Sequence, residues 1–126
     1  MGRARSNKTK GKNGQNEVCE LLLKKFETLE PDDARSNPMG NPGEDVLLSP
    51  AGRRAFPYQI EVKRKQKFSI CRALEQCRGH GVHTPIVFFR EDKLQSKDTP
   101  PDQGKWYVCL LADDLIHLEK LRLWSK

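Results

Sequence analysis

Gly43-Glu44-Asp45-Val46-Leu47-Leu48-Ser49, followed at a short distance by Tyr58-Gln59-Ile60-Glu61-Val62-Lys63, decides the reading of this chain. The first stretch reads as a short strand over Asp45–Ser49. The second belongs to a strand over Phe56–Lys63, in which Tyr58, Ile60 and Val62 face one way and Gln59, Glu61 and Lys63 the other. Pro50-Ala51-Gly52-Arg53-Arg54 between them reads as a turn with two exposed cations. Partners in an antiparallel hairpin have a constant index sum. The midpoint of 45 and 61 falls at 53, inside that turn, so the hairpin is expected to set Asp45 opposite Glu61. Facing side chains have Cβ atoms ~4.5–5.5 Å apart. Two carboxylates that close repel, and a divalent cation removes the repulsion. A site of few carboxylates completed by water suits Mg²⁺, with Mn²⁺ able to substitute. Lys63 emerges on the same face as Glu61. An E-x-K pair alone is more often an ordinary ion pair on a strand; the acid at hairpin spacing is what sets this one apart.

Outward from this segment the chain alternates helix and strand. Val18, Leu21, Leu22, Phe26 and Leu29 fall at helical spacing, which predicts a helix over Gly14–Leu29 stopped by Pro31. Glu17 lies on it, next to the apolar stripe, and is a candidate third metal ligand; the alternative is a first-turn acid favoured by the helix dipole. Residues 32–44 read as a loop rich in Asn, Pro and Gly. Ser69–Arg78 reads as a helix burying Ile70, Leu74 and Cys77. Pro85-Ile86-Val87-Phe88-Phe89 reads as the heart of a central strand over Thr84–Phe89, buried on both faces. A polar loop over Asp92–Gly104, a strand over Trp106–Leu111 and a last helix from Asp113 complete the order. The expected fold class is α/β: a small mixed central β-sheet flanked by helices, an αββαβ core with a further strand and helix.

With 126 residues the chain has the size of one domain. Residues 14–126 are expected to form it. Residues 1–13 read as a flexible basic arm, because Arg3, Arg5, Lys8, Lys10 and Lys12 precede the first acid, Glu17. A tail without a role is an equally good reading. The net charge is +6 and the pI about 9.3, a balance that suggests a polyanionic partner, most often nucleic acid. Lys63-Arg64-Lys65-Gln66-Lys67, then Arg72 and Arg78, suit phosphate-backbone contacts. No apolar run approaches the ~20 residues of a membrane-spanning helix, and residues 1–12 lack the apolar stretch of a secretory signal. Cys19, Cys71, Cys77 and Cys109 form no C-x-x-C pair, so free thiols in a reducing cytoplasm are expected. Cys77, His80 and His83 have the spacing of half a zinc site without a second half.

Glu17 on a helix, Asp45 on a strand, Glu61-Val62-Lys63 on the next strand, then a helix and two strands together resemble the PD-(D/E)xK nuclease superfamily. Size and order look most like the archaeal-type Holliday junction resolvases and their phage-encoded relatives, over roughly residues 14–111. The resemblance implies a restriction-endonuclease-like fold and a Mg²⁺-dependent, structure-selective DNA endonuclease acting as a homodimer. On it, Glu17, Asp45 and Glu61 hold metal, and these with Lys63 are catalytic. Charge distribution, rather than the resemblance, gives the DNA contacts to Arg3, Arg5, Lys8, Lys10, Lys12, Arg64, Lys65, Lys67 and Arg72. Gln76 matches a glutamine common in that family, and Arg35 and Ser36 correspond to an Arg and Ser before its Asp. It also implies roles in DNA recombination and repair in the cytoplasm, the host's if the chain is phage-encoded. The chain departs from the pattern at Glu44, where a proline often stands, and at Gly40, displaced from the usual place after the Ser. The motif is shared by nicking, flap and repair nucleases, which remain alternatives, as does a non-catalytic basic DNA-binding module.

Overall fold

The computed structural model describes residues 2–64, 67–90 and 105–125, with side chains described from residue 12 onward. Helix α1 spans Gly2–Lys25, and a 3-10 turn Pro31–Asp33 leads into strand β1 (Ala34–Ser36). Strand β2 (Val46–Leu48) and helix α2 (Pro50–Ala55) precede strand β3 (Tyr58–Lys63). Helix α3 (Ile70–Arg78), strands β4 (Thr84–Arg90) and β5 (Trp106–Cys109) and helix α4 (Ala112–Trp124) follow. β1 and β2 pair antiparallel as a two-stranded sheet, Arg35 opposite Leu47. β3, β4 and β5 form a second sheet in that order. β3 and β4 run parallel, with Glu61 opposite Val87, and α3 makes the crossover; β4 and β5 run antiparallel. The molecule is therefore mixed α/β, a small three-stranded mixed sheet flanked by helices.

The alternation along β3 and β4 divides the core. Ile60, Ile86 and Phe88 pack with Val18, Cys19 and Leu22 of α1 and with Ala34 and Val46 of the small sheet. On the opposite face Val87 packs with Ala73 and Leu74 of α3. The central position expected of the Thr84–Phe89 strand holds.

Several expectations are corrected. The first helix begins at Gly2 rather than Gly14 and ends at Lys25, short of Leu29. The segment 32–44 contains strand β1. Residues 50–54 are not a turn but belong to helix α2: the Ser49 side chain accepts from Gly52 N at 3.0 Å, and Pro50 stands in the first turn, where its missing N–H costs nothing. The hairpin that was to pair 45 with 61 is therefore absent. Ile70, expected to be buried, is 44% exposed, because α3 turns Ala73, Leu74 and Cys77 inward instead. The expected 92–104 loop lies outside the described residues.

Candidate active site

Asp45 reaches β3 without a hairpin. Its backbone N donates to Ile60 O at 3.0 Å, and its carboxylate Oδ2 accepts from Val62 N at 2.8 Å. It thus takes the place of a strand neighbour along the β3 edge that β4 leaves free, bracketing Glu61. The rest of Asp45 is held as firmly. Asn37 N donates to its carbonyl at 2.9 Å. Gln15 of α1, only 6% exposed and with its amide nitrogen turned inward, faces Ser36 Oγ at 2.6 Å, Asn37 O at 3.0 Å and the Asp45 carbonyl at 3.3 Å. The Asn37 side chain donates to Glu44 O at 2.8 Å, and Glu44 receives a forked pair of bonds from Arg53 at 2.8 and 3.0 Å. So α1, β1, α2 and β3 all fix the one aspartate.

The Asp45 and Glu61 carboxyl groups are neighbours, and the charge of one bears on the other. Burial, and next the Asp45 charge, push the Glu61 carboxyl up from 4.5 to about 7, against the pull of Lys63. Burial also raises Asp45, against the Val62 N–H, Lys63 and His80. Lys63 Nζ lies 3.3 Å from Glu61 Oε2. The other oxygen, Glu61 Oε1, is buried with no hydrogen-bond donor. A buried carboxylate oxygen without a partner is costly. With a second carboxyl beside it, the pair offers the hard oxygen donors that a divalent cation takes. Asp45 and Glu61 are the residues to hold one.

Glu17 does not join this pair. Its carboxylate Oε1 is 2.8 Å from Arg90 Nη1 and its Oε2 3.5 Å from Arg64 Nη1. Among the described residues no group of three or more His, Cys, Asp or Glu is gathered closely enough to hold a metal ion. Cys77, His80 and His83 likewise do not converge: the Cys77 thiol donates to Gln59 O at 3.0 Å, and His83 is exposed.

The candidate DNA contacts divide. Lys12, Arg35, Lys67, Arg72 and Gln76 are exposed. Ser36 is tied to Gln15 and Arg64 to Glu17. The side chains of Arg3, Arg5, Lys8 and Lys10 lie outside the described residues, as does Lys65.

Gln15, Gln59, His80 and Arg90 were not legible as site residues. Gln59, fully buried two positions before Glu61, donates through its amide to Cys77 O at 2.5 Å and accepts from His83 N at 3.3 Å. It thereby latches the turn after α3, on which His80 lies. The alternation of β3, which puts Gln59 on the Glu61 face, was the available signal.

No family model, curated protein or solved structure matches the chain.

Proposed function

We propose that the chain is a Mg²⁺-dependent DNA endonuclease of the restriction-endonuclease-like, PD-(D/E)xK kind, acting on branched DNA. The observation that carries this reading is the buried Asp45–Glu61 pair with its donorless Glu61 Oε1 and with Lys63 Nζ at 3.3 Å. A bound Mg²⁺ or Mn²⁺ supplies a water of lowered pKa and polarises a phosphate oxygen. The chain does the rest. Asp45, fixed through its N–H, its carbonyl and one carboxylate oxygen, gives the site a rigid edge. Glu61 offers the second set of lone pairs on that edge. Lys63 has three N–H donors, of which Glu61 engages one. The others are available to orient a water or to neutralise charge growing on the phosphate. The exposed cations Lys12, Arg35, Lys67 and Arg72 hold the DNA backbone.

A four-way junction is the proposed substrate, on the resemblance stated above and on the need for paired nicks. Two matched nicks in one encounter require two sites, hence a two-fold homodimer. Helix α4 supports that assembly: Leu115, Ile116, Leu121, Leu123 and Trp124 are all exposed, Trp124 to 87%. Its first turn carries Asp113 and Asp114 and its last turn Arg122, so two copies laid antiparallel set acids against bases.

The test of substrate is a panel of four-way junction, flap, nicked and linear duplex DNA with Mg²⁺. The junction is expected to be cut fastest, in opposing strands. Preferential cutting of a flap or nicked duplex reassigns the substrate, and no cutting of any DNA leaves a basic binding module.

A further inference from the structure

Glu17, Arg64 and Arg90 form a cluster separate from the Asp45–Glu61 pair. Arg64 follows the end of β3 and Arg90 closes β4. Because β3 and β4 are parallel, both arginines stand at the carboxyl-terminal edge of the sheet. That edge is where open parallel sheets bind ligands. α1 brings Glu17 to them from the side. The two guanidinium groups divide its carboxylate, Arg90 taking Oε1 at 2.8 Å and Arg64 Oε2 at 3.5 Å.

The order of burial is informative. The Arg90 side chain is 4% exposed and that of Arg64 16%, while Glu17 is 34% exposed. The acid is the outer member and the cations the inner ones. The stem of Arg64 is pinned as well. A Cβ placed on Gly14 would lie 2.7 Å from Arg64 Cγ, so the stem runs tight against α1 where only a glycine leaves it room. Two preset guanidinium groups converging on a pair of oxygens is the geometry that recognises carboxylate and phosphate alike.

We propose that Arg64 and Arg90 form a phosphate subsite, that Glu17 is its resident occupant, and that a backbone phosphate of the DNA displaces Glu17 on binding. This rests on the nuclease reading only for the source of the phosphate. It gives Glu17 a different task from the metal ligand expected of the sequence. Arg64 and Arg90 become positioning residues that fix the strand flanking the Asp45–Glu61 pair, while Glu17 keeps other anions out.

The experiment uses the full chain and three probes: a labelled linear DNA duplex in EDTA, inorganic phosphate, and Mn²⁺ alone. Glu17→Gln is expected to tighten duplex binding about tenfold, roughly one charge-assisted hydrogen bond. Glu20→Gln, an exposed acid on the same helix, reports the general effect of removing one negative charge and is expected to change binding about twofold at most. Phosphate should raise the melting temperature of Glu17→Gln more than that of the parent. Mn²⁺ binding, followed by calorimetry, should be unchanged. Duplex binding by Glu17→Gln no tighter than by Glu20→Gln overturns the proposal, and loss of Mn²⁺ binding overturns it in favour of a metal-ligand role. Should Glu17→Gln fail to fold, Arg64→Gln is compared with Lys67→Gln. A duplex affinity loss of about tenfold against about twofold supports the subsite, and equal losses overturn it. Because these readouts need no cleavage, a protein that binds as described but cuts nothing contradicts the nuclease reading alone.

Discussion

Glu61 keeps its proton to about pH 7 in the folded chain, whereas in the unfolded chain it loses it near 4.5. Between those values the folded state binds more protons, so stability is greatest below the lower value and is lost as pH rises through the upper one. Asp45, also raised, adds in the same direction. A cation bound to the ionised pair opposes this loss. The metal-free protein should therefore melt at a lower temperature at pH 7.5 than at pH 5, and saturating Mn²⁺ should recover most of the difference. Glu61→Gln should be more stable than the parent at pH 7.5 in EDTA, by about 1–3 kcal/mol, since it removes a buried like-charge contact. Equal melting at both pH values without metal contradicts the account of the pair. At this scale the sequence was informative about Asp45, Glu61 and Lys63, because a period of two fixes which side chains share a strand face. For Glu17 it offered a metal ligand, whereas the carboxylate pairs with Arg64 and Arg90: helical periodicity placed it beside the apolar stripe, but its partners come from the far ends of two strands. Arg90 in particular follows an apolar run and reads locally as nothing more than a strand end.

At the scale of elements, the Asp45–Glu61 proximity was anticipated by the wrong route. Index arithmetic assumed a hairpin closed by a turn at 50–54, but Ser49-Pro50 is a helix start, and α2 fills that connection. Proximity survives because Asp45 bonds the β3 backbone with its own N–H and carboxylate rather than through a regular ladder. The small strand β1 was missed because three residues amid Asn, Pro and Gly show no period. α2 is held by close approach: a Cβ on Gly52 would sit 2.4 Å from the Asp33 backbone oxygen. Gly52→Ala must push α2 off the 3-10 turn and should cost about 1–3 kcal/mol. Since Arg53 and Glu44 move with α2, DNA cleavage should fall as well. Thermal melts and cleavage rates check both, and a variant equal to the parent in the two assays removes α2 from the support of the site.

At the scale of the whole molecule, two features stand out. One is the excess of cations, a net +6 over the chain, with Lys12, Arg35, Lys67 and Arg72 exposed. The other is helix α4, which has no buried residue and leaves Leu115, Ile116, Leu121, Leu123 and Trp124 exposed around its circumference. In the proposed homodimer this helix is the association surface. Sedimentation at micromolar concentration should give about twice the 14.5 kDa chain mass, and Ile116→Glu with Leu123→Glu should return it to the monomer. A parent protein that sediments as a monomer contradicts the paired-site mechanism. The mixed α/β class, a small sheet flanked by helices, was legible because the apolar blocks and their spacing are written in the chain; the division into two sheets was not, since it depends on which strand edges Asp45 and α3 leave open. The central claim is that Asp45, Glu61 and Lys63 make a metal-dependent phosphodiesterase centre. Its most direct test is the cleavage rate of a four-way junction with saturating Mg²⁺, for the parent and for Asp45→Asn, under conditions where both bind the DNA. The account predicts cleavage by the parent that stops in EDTA, and a loss of about a hundredfold or more in Asp45→Asn with DNA binding intact. Cleavage by Asp45→Asn at the parental rate would contradict it.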